Sequence, residues 1–201
     1  MSAVRVQAMP GAAIGAHVGD IAALRIAVFR EWPYLYDGDV HYETSYLSTY
    51  TRSPDSVVVL AFDGPRIVGA STGLPLADED VEYQAPFLAR GLDVGRVFYC
   101  GESVLLPAYR GRGLGHAFFD AREAHARALG RFDTVAFAAV DRAFDDPRRP
   151  AGHRDNAQIG VHHRVDAADR EAVVLENLRA LLQRRLRIDL DEGGRAVDVG
   201  P

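Results

Sequence analysis

The sequence of 201 residues contains a single cysteine, Cys100. A lone cysteine cannot form an internal disulfide, which fits a reducing cytoplasm. The first residues lack a positively charged start followed by an apolar core, so we expect no signal peptide. No apolar run approaches the roughly 18 residues of a membrane span. We therefore expect a cytoplasmic protein with no membrane partner.

An excess of positive charge is also missing. The formal net charge is -5 at pH 7, which argues against a general nucleic-acid-binding protein. Apolar residues make up 48% of the chain and charged residues 25%, as in an ordinary globular domain. The length favours one domain with a sizeable core.

Apolar periodicity predicts a mixed α/β domain with a central sheet. We expect a strand at 4–9, helices at 20–30 and 40–50, hairpin strands at 56–62 and 66–72, a short helix at 81–90, a strand at 96–106, a helix at 114–129 and a strand at 133–140. Asp20 is the expected N-cap of the first helix, and Gly130 the C-cap of the last.

The composition changes after residue 140, so we divide the domain into a core at 1–140 and a divergent C-terminal segment at 141–201. Residues 141–166 are rich in Arg, Asp, His and Pro, which predicts a long loop. An amphipathic helix at 168–186 and a small hairpin at 187–199 should follow. His153, His162 and His163 lack a recognised metal-ligand spacing, so we expect no metal site.

A glycine-rich segment, residues 110–115, joins a predicted strand to a predicted helix. Its three glycines leave backbone N–H groups uncovered at the start of the helix, where the helix dipole also favours negative charge. Arg110 and Arg112 add donors suited to phosphate. The segment therefore predicts binding of a phosphorylated ligand.

The pattern Arg110-x-x-Gly113-x-Gly115, after a strand and opening a helix, resembles the signature of the GNAT superfamily of N-acetyltransferases. The resemblance covers about residues 4–140 and implies a mixed, mostly antiparallel sheet flanked by helices. It implies acetyl-CoA as co-substrate, with its diphosphate on the turn and its pantetheine arm along the preceding strand edge. The residues expected to bind it are Val104, Leu105, Leu106, Arg110, Gly111, Arg112, Gly113, Leu114, Gly115 and His116.

Glu102 is the expected general base, because it precedes the residues that should face pantetheine and a carboxylate in a cleft can accept a proton. The alternative is a glutamate that pairs with an arginine. Ser103 is a second catalytic candidate, although alternation along a strand places it on the other face. By the same alternation, Cys100 should share the face of Glu102.

An aromatic loop that contains Trp32, Tyr34 and Tyr36 follows the first helix. The resemblance to the GNAT superfamily implies that this region forms the wall of the acceptor site, and aromatic rings suit a cationic amine. The alternative is that these rings fill the core or a dimer contact. Both interpretations stay open, as does a homodimer, which is common in the superfamily.

The C-terminal part departs from the superfamily, because no tyrosine follows Tyr109. A tyrosine acid near the CoA sulfur is therefore unsupported: the thiolate leaves unassisted, an earlier residue helps, or the last third is not the usual ending. We expect an N-acetyltransferase that moves acetyl to a primary amine of a small molecule or peptide in a ternary complex. The alternatives are a non-catalytic acyl-CoA-binding or regulatory module and an interaction protein that has lost the ligand.

Overall fold

The computed structural model describes residues 3–138 and 147–151 and the backbone of a strand at 161–164. The helices and strands are β1 (Arg5–Pro10), α1 (Val18–Phe29), α2 (Val40–Arg52), β2 (Val57–Asp63), β3 (Arg66–Pro75), α3 (Val81–Leu88), β4 (Val97–Leu105), α4 (Leu114–Leu129), β5 (Thr134–Phe137) and β6 (Val161–Arg164). Up to β5, this order is the one that the sequence predicts.

The six strands form one sheet in the order β1-β2-β3-β4-β5-β6. All neighbours are antiparallel except β4 and β5, so the sheet is mixed and mostly antiparallel, as predicted. Along β2, Val58 and Leu60 pack with α1 and α2, whereas Val57 and Val59 pack with α4. Helices on both faces explain why β2 is continuously apolar rather than alternating.

The start of α1 differs from the prediction. The helix begins at Val18 with His17 in the cap position, and Asp20 lies inside the first turn. Asp20 is therefore not the N-cap, although an acidic side chain in the first turn still interacts favourably with the helix dipole. In α2 the cap is Asp39, whose side chain accepts a 2.9 Å hydrogen bond from the Tyr42 N–H.

The predicted loop at 141–166 is wrong at β6, which pairs antiparallel with β5 from Thr134–Arg164 to Phe137–Val161. Its sequence, Val-His-His-Arg, lacks the apolar alternation by which strands are recognised. The predicted helix at 168–186, the hairpin at 187–199 and His153 lie outside the described residues. Within the described ranges, no helix has both the length and the apolar character to cross a membrane.

A β-bulge interrupts the pairing of β3 with β4. Ser71 pairs with Ser103 and Gly73 with Cys100, so Thr72 alone faces the two residues between them, Gly101 and Glu102. An extra residue on one strand breaks the alternation of faces.

The bulge separates Cys100 from Glu102. Cys100 is buried in the core beside α4, whereas Glu102 contacts side chains of α1 and α2. The expectation that the two share a face is therefore wrong. Ser103 lies beyond the bulge, where its hydroxyl is 2.9 Å from that of Ser71. Arg122 of α4 donates a 3.2 Å hydrogen bond to the Thr72 carbonyl and thereby supports the bulge from the opposite face.

Replacing Gly101 with alanine should destabilise the bulge. The added Cβ would lie 2.5 Å from Thr72 Oγ1 and closer still to the Tyr50 hydroxyl. We expect Gly101→Ala to lower the free energy of unfolding by about 1–3 kcal/mol, as overpacking does, in urea denaturation. The control is Gly15→Ala, whose Cβ meets nothing within 4 Å. Equal stability of the two variants would contradict this account of the bulge.

Candidate active site

Arg25 of α1 lies between two carboxylates. Its Nε donates to Glu43 Oε2 of α2 at 2.5 Å, and its Nη1 lies 2.9 Å from Glu102 Oε2 of β4. Arg25 and Glu43 are 2% and 0% exposed, whereas Glu102 is 16% exposed. Glu102 is therefore the most accessible member of this cluster, which we call the Arg25 cluster.

One guanidinium serves two carboxylates, so the Arg25 cluster carries one net negative charge when all three groups are ionised. Burial lowers the pKa of Arg25, but the charges of Glu102 and Glu43 and the phenol oxygen of Tyr46 outweigh burial and hold this pKa above its usual value. Arg25 therefore stays a cation. If Glu102 takes up a proton, a neutral buried pair of Arg25 and Glu43 remains, which avoids an uncompensated buried charge.

Hydrogen bonds fix the orientation of Glu102. The Tyr46 hydroxyl donates to Glu102 Oε1 and lies 2.8 Å from the Tyr50 hydroxyl. Thr72 Oγ1 donates to Glu102 Oε2 at 3.0 Å and accepts from the Glu102 N–H at 3.2 Å. Groups from α1, α2 and β3 thus hold the Glu102 carboxylate at the bulge. Glu102 pairs with an arginine, as the alternative interpretation of this residue expected.

The aromatic loop between α1 and α2 contributes unequally to this site. Tyr34 stacks on Phe29 with ring centroids 4.4 Å apart, and burial together with the charge of Glu102 raises the pKa of Tyr34 to about 12, against the lowering effect of Arg25. Tyr34 therefore stays protonated near Glu102. Trp32 is half-buried. Tyr36 is only 4% exposed and packs in the core, which fits the core-filling alternative and not an accessible wall.

The glycine turn leaves the start of α4 open. Gly111 and Gly113 have φ of 74° and 78°, which side chains rarely tolerate. No side chain caps the helix at Gly113, and a Cβ at Gly115 would meet nothing within 4 Å. The turn is therefore a cradle of backbone N–H groups that a side chain would fill, and its chemistry suits an anion such as a diphosphate.

The two arginines of the turn contact the segment before it. Arg110 donates to the Leu105 carbonyl at 3.2 Å and pairs with Glu31 at 3.1 Å. Arg112 donates to the Ala108 carbonyl at 2.8 Å. Both arginine side chains are exposed.

The other predicted ligand-binding residues surround this turn. Leu114 is buried and anchors the first turn of α4, whereas His116 is exposed. Val104 is buried, and Leu105 and Leu106 are half-buried. A ligand could therefore form hydrogen bonds with the backbone of Val104, Leu105 and Leu106 rather than contact their side chains.

Within the ranges that the structure describes, no strand pairs with the β5-facing edge of β4 beyond Cys100. β5 pairs with β4 only from Val97 to Cys100, whereas β3 continues its pairing to Leu105. Residues 101–105 of β4 therefore offer unpaired backbone groups toward the β5 side within the described part of the chain. The open edge begins beside Glu102 and runs toward the glycine turn, so the base candidate and the anion cradle lie along one strand.

Sequence reasoning missed Arg25, Glu43, Tyr46 and Thr72. A signal was present, because Glu43 precedes Tyr46 by three residues on the buried face of α2, and Arg25 follows Ile21 by four on that of α1. Opposite charges on two apolar faces predict a buried pair. Within the described residues, no group of three or more His, Cys, Asp or Glu side chains could hold a metal ion.

A family model described as the acetyltransferase (GNAT) family matches residues 22–150. An aminoglycoside N-acetyltransferase, AAC(6')-Iy, solved in complex with CoA, has a TM-score of 0.51 at 16% identity, over 70% of this chain and 79% of that one. A tandem GNAT protein from the clavulanic acid biosynthesis pathway has a TM-score of 0.52 at 17% identity, over 75% of this chain and 41% of that one. Among curated proteins, no sequence matches this chain.

Replacing Arg25 should be far more costly than replacing an exposed arginine. Arg25→Met leaves Glu43 and Glu102 without their shared cation, and breaking a buried pair in this way costs about 3–5 kcal/mol of unfolding free energy. The control Arg96→Met breaks the exposed 2.7 Å pair with Asp133 and should cost much less. Urea denaturation measures both, and similar losses for the two variants would refute the importance of the Arg25 cluster.

Proposed function

The chain belongs to the acetyltransferase (GNAT) family, and we therefore propose that it transfers the acetyl group of acetyl-CoA to a primary amine of a small molecule or peptide. The observation that supports this proposal most strongly is the open edge of β4, which joins Glu102 to the glycine turn. An acyl donor with a diphosphate at one end and an extended amide arm needs both features.

The residues of the turn fit the diphosphate of CoA. The backbone N–H groups of 111–116 would hold its oxygens, and Arg110 and Arg112 would supply charge-assisted donors. The backbone of Val104, Leu105 and Leu106 would pair with the pantetheine arm as an added strand. When bound, acetyl-CoA supplies a thioester whose carbonyl carbon accepts a nucleophile.

Glu102 is the proposed proton acceptor. An ammonium group must lose a proton before it attacks, and Glu102 presents a carboxylate whose protonation leaves a neutral pair behind it. Tyr46 and Thr72 hold that carboxylate in one orientation. Glu102 would take the proton from the ammonium group directly or through a water that lies between them. The amine would then attack the thioester carbonyl carbon in a ternary complex, so that a C–N bond forms, the C–S bond breaks and CoA leaves, without a covalent enzyme intermediate.

The acceptor is proposed to be a cationic amine. The Arg25 cluster carries net negative charge at its accessible end, and Tyr34 lies close enough for the charge of Glu102 to act on it. Tyr34, with Trp32 of the same loop, would add aromatic surface that attracts an ammonium group. We leave Tyr36 out of this wall because its ring is buried.

A side chain at Gly115 should impair CoA binding without impairing folding. Gly115→Val extends into space that is open in the protein and that the diphosphate would occupy. We expect the dissociation constant for CoA, measured by calorimetry, to rise about tenfold or more. The control is Gly19→Val, since Gly19 is likewise the second residue of a helix with open space around it. Unchanged affinity in Gly115→Val would remove the diphosphate from this turn.

Replacing Glu102 should slow the reaction without weakening CoA binding. We expect Glu102→Gln to lower turnover about ten- to a thousand-fold, since it removes the proton acceptor but leaves the turn intact. The measurement is thiol release from acetyl-CoA with a panel of primary amines, together with CoA calorimetry. Glu82→Gln, on the exposed side of α3, is the matched control.

The variants also separate the rival interpretations. Ser103→Ala tests the second catalytic candidate, whose hydroxyl lies 2.9 Å from that of Ser71. Full activity of Glu102→Gln at every pH would exclude Glu102 as the base. CoA binding without thiol release from any amine would favour the non-catalytic acyl-CoA-binding module instead.

A further inference from the structure

We propose that Arg25 and Glu43 are positioning residues that set the pH range over which the Glu102 carboxylate takes up a proton. The inference deepens the proposed function of the same site and rests on it for its biological meaning. Neither residue needs to touch a substrate, because both are buried and act through Glu102.

Glu43 and Glu102 share the positive charge of Arg25 at the same time. Arg25 Nε donates a hydrogen bond to Glu43, and Arg25 Nη1 lies at ion-pair distance from Glu102 without an aligned hydrogen bond, so both carboxylates contact the cation at once. Glu43 Oε1 is buried and has no hydrogen-bond partner in the described part of the chain. Glu43 therefore relies on Arg25 for its stabilisation as an anion, and draws on the same charge that stabilises Glu102.

The hydrogen bonds that Glu102 accepts also stabilise its anion, but their donors are neither Arg25 nor Glu43. Besides Arg25 and the Glu43 behind it, the groups that face Glu102 include Tyr34 from the α1–α2 loop, Tyr46 from α2 and Thr72 from β3. These three are uncharged hydroxyl groups. Arg25 and Glu43 are the charged groups in these contacts, so variants at these two positions change the charge close to Glu102.

Changes at the two residues should act in opposite directions. Neutralising Glu43 leaves the whole charge of Arg25 to Glu102, so Glu102 stays ionised to lower pH and becomes a weaker base. Removing Arg25 together with the Glu43 charge takes away the stabilising cation, so Glu102 holds its proton to higher pH. A purely structural contribution would not reverse sign between these variants.

The direct test is the titration of Glu102 by NMR in protein labelled with ¹³C at glutamate carboxyl carbons. The Glu102 resonance is identified by its loss in Glu102→Gln. The variants are Glu43→Gln, Arg25→Lys and the double variant Arg25→Met with Glu43→Gln, which replaces the buried pair jointly and so avoids an isolated buried charge.

We expect the titration midpoint to fall by about one pH unit in Glu43→Gln, to stay near that of the unchanged protein in Arg25→Lys, and to rise in the double variant. The control Arg96→Gln, in an exposed pair with Asp133, should leave it unmoved. Midpoints that do not move, or that move in the same direction in Glu43→Gln and the double variant, would overturn the proposal.

Activity provides a second readout that separates this inference from the proposed function. The acidic limb of kcat/KM against pH should follow the same order of variants as the NMR midpoints. The NMR titration needs neither acetyl-CoA nor acceptor. The expected order of midpoints without thiol release would support the charge arrangement and defeat the transferase proposal. Thiol release with unmoved midpoints would support the transferase proposal and overturn the inference about Arg25 and Glu43.

Discussion

Thr72 of β3 faces both Gly101 and Glu102 of β4, and this bulge determines toward which side of the sheet the Glu102 carboxylate points. Without the extra residue, Glu102 would point to the same side as Cys100, into the apolar layer beneath α4. With it, the carboxylate turns toward α1 and α2 and meets Arg25. The pairing of β4 with β5 ends at Cys100, just before the bulge, so the open edge and the carboxylate begin together.

The Arg25 cluster bears on both the stability of the fold and the proposed proton transfer to Glu102. A buried ion pair is costly to desolvate, and removing one partner is more costly still. Here the second carboxylate reaches the accessible end of the cluster, so the buried cation and Glu43 can remain paired whatever the protonation state of Glu102. The helices α1 and α2 therefore do more than cover the sheet, because their charged side chains contact the carboxylate that we propose as the proton acceptor.

Much of the fold could be predicted from the sequence, because alternation in the hairpin and the glycine turn before α4 are local signals. The open glycine cradle was predictable for the same reason. The bulge was not predicted, although Gly101, a glycine inside a strand, is a signal for one. Strand alternation alone therefore put Glu102 on the same face as Cys100, which is wrong. The Arg25 cluster depends on three elements distant in sequence, so only tertiary packing reveals it. β6 was missed because its residues carry no apolar alternation.

The measurement that tests this account most directly is a crystal structure of the protein soaked with coenzyme A. The account predicts diphosphate oxygens within hydrogen-bond distance of the backbone nitrogens of 111–116, and a thiol at the open edge of β4 beside Glu102. A diphosphate bound elsewhere, or a thiol on the Cys100 side of the sheet, would contradict it.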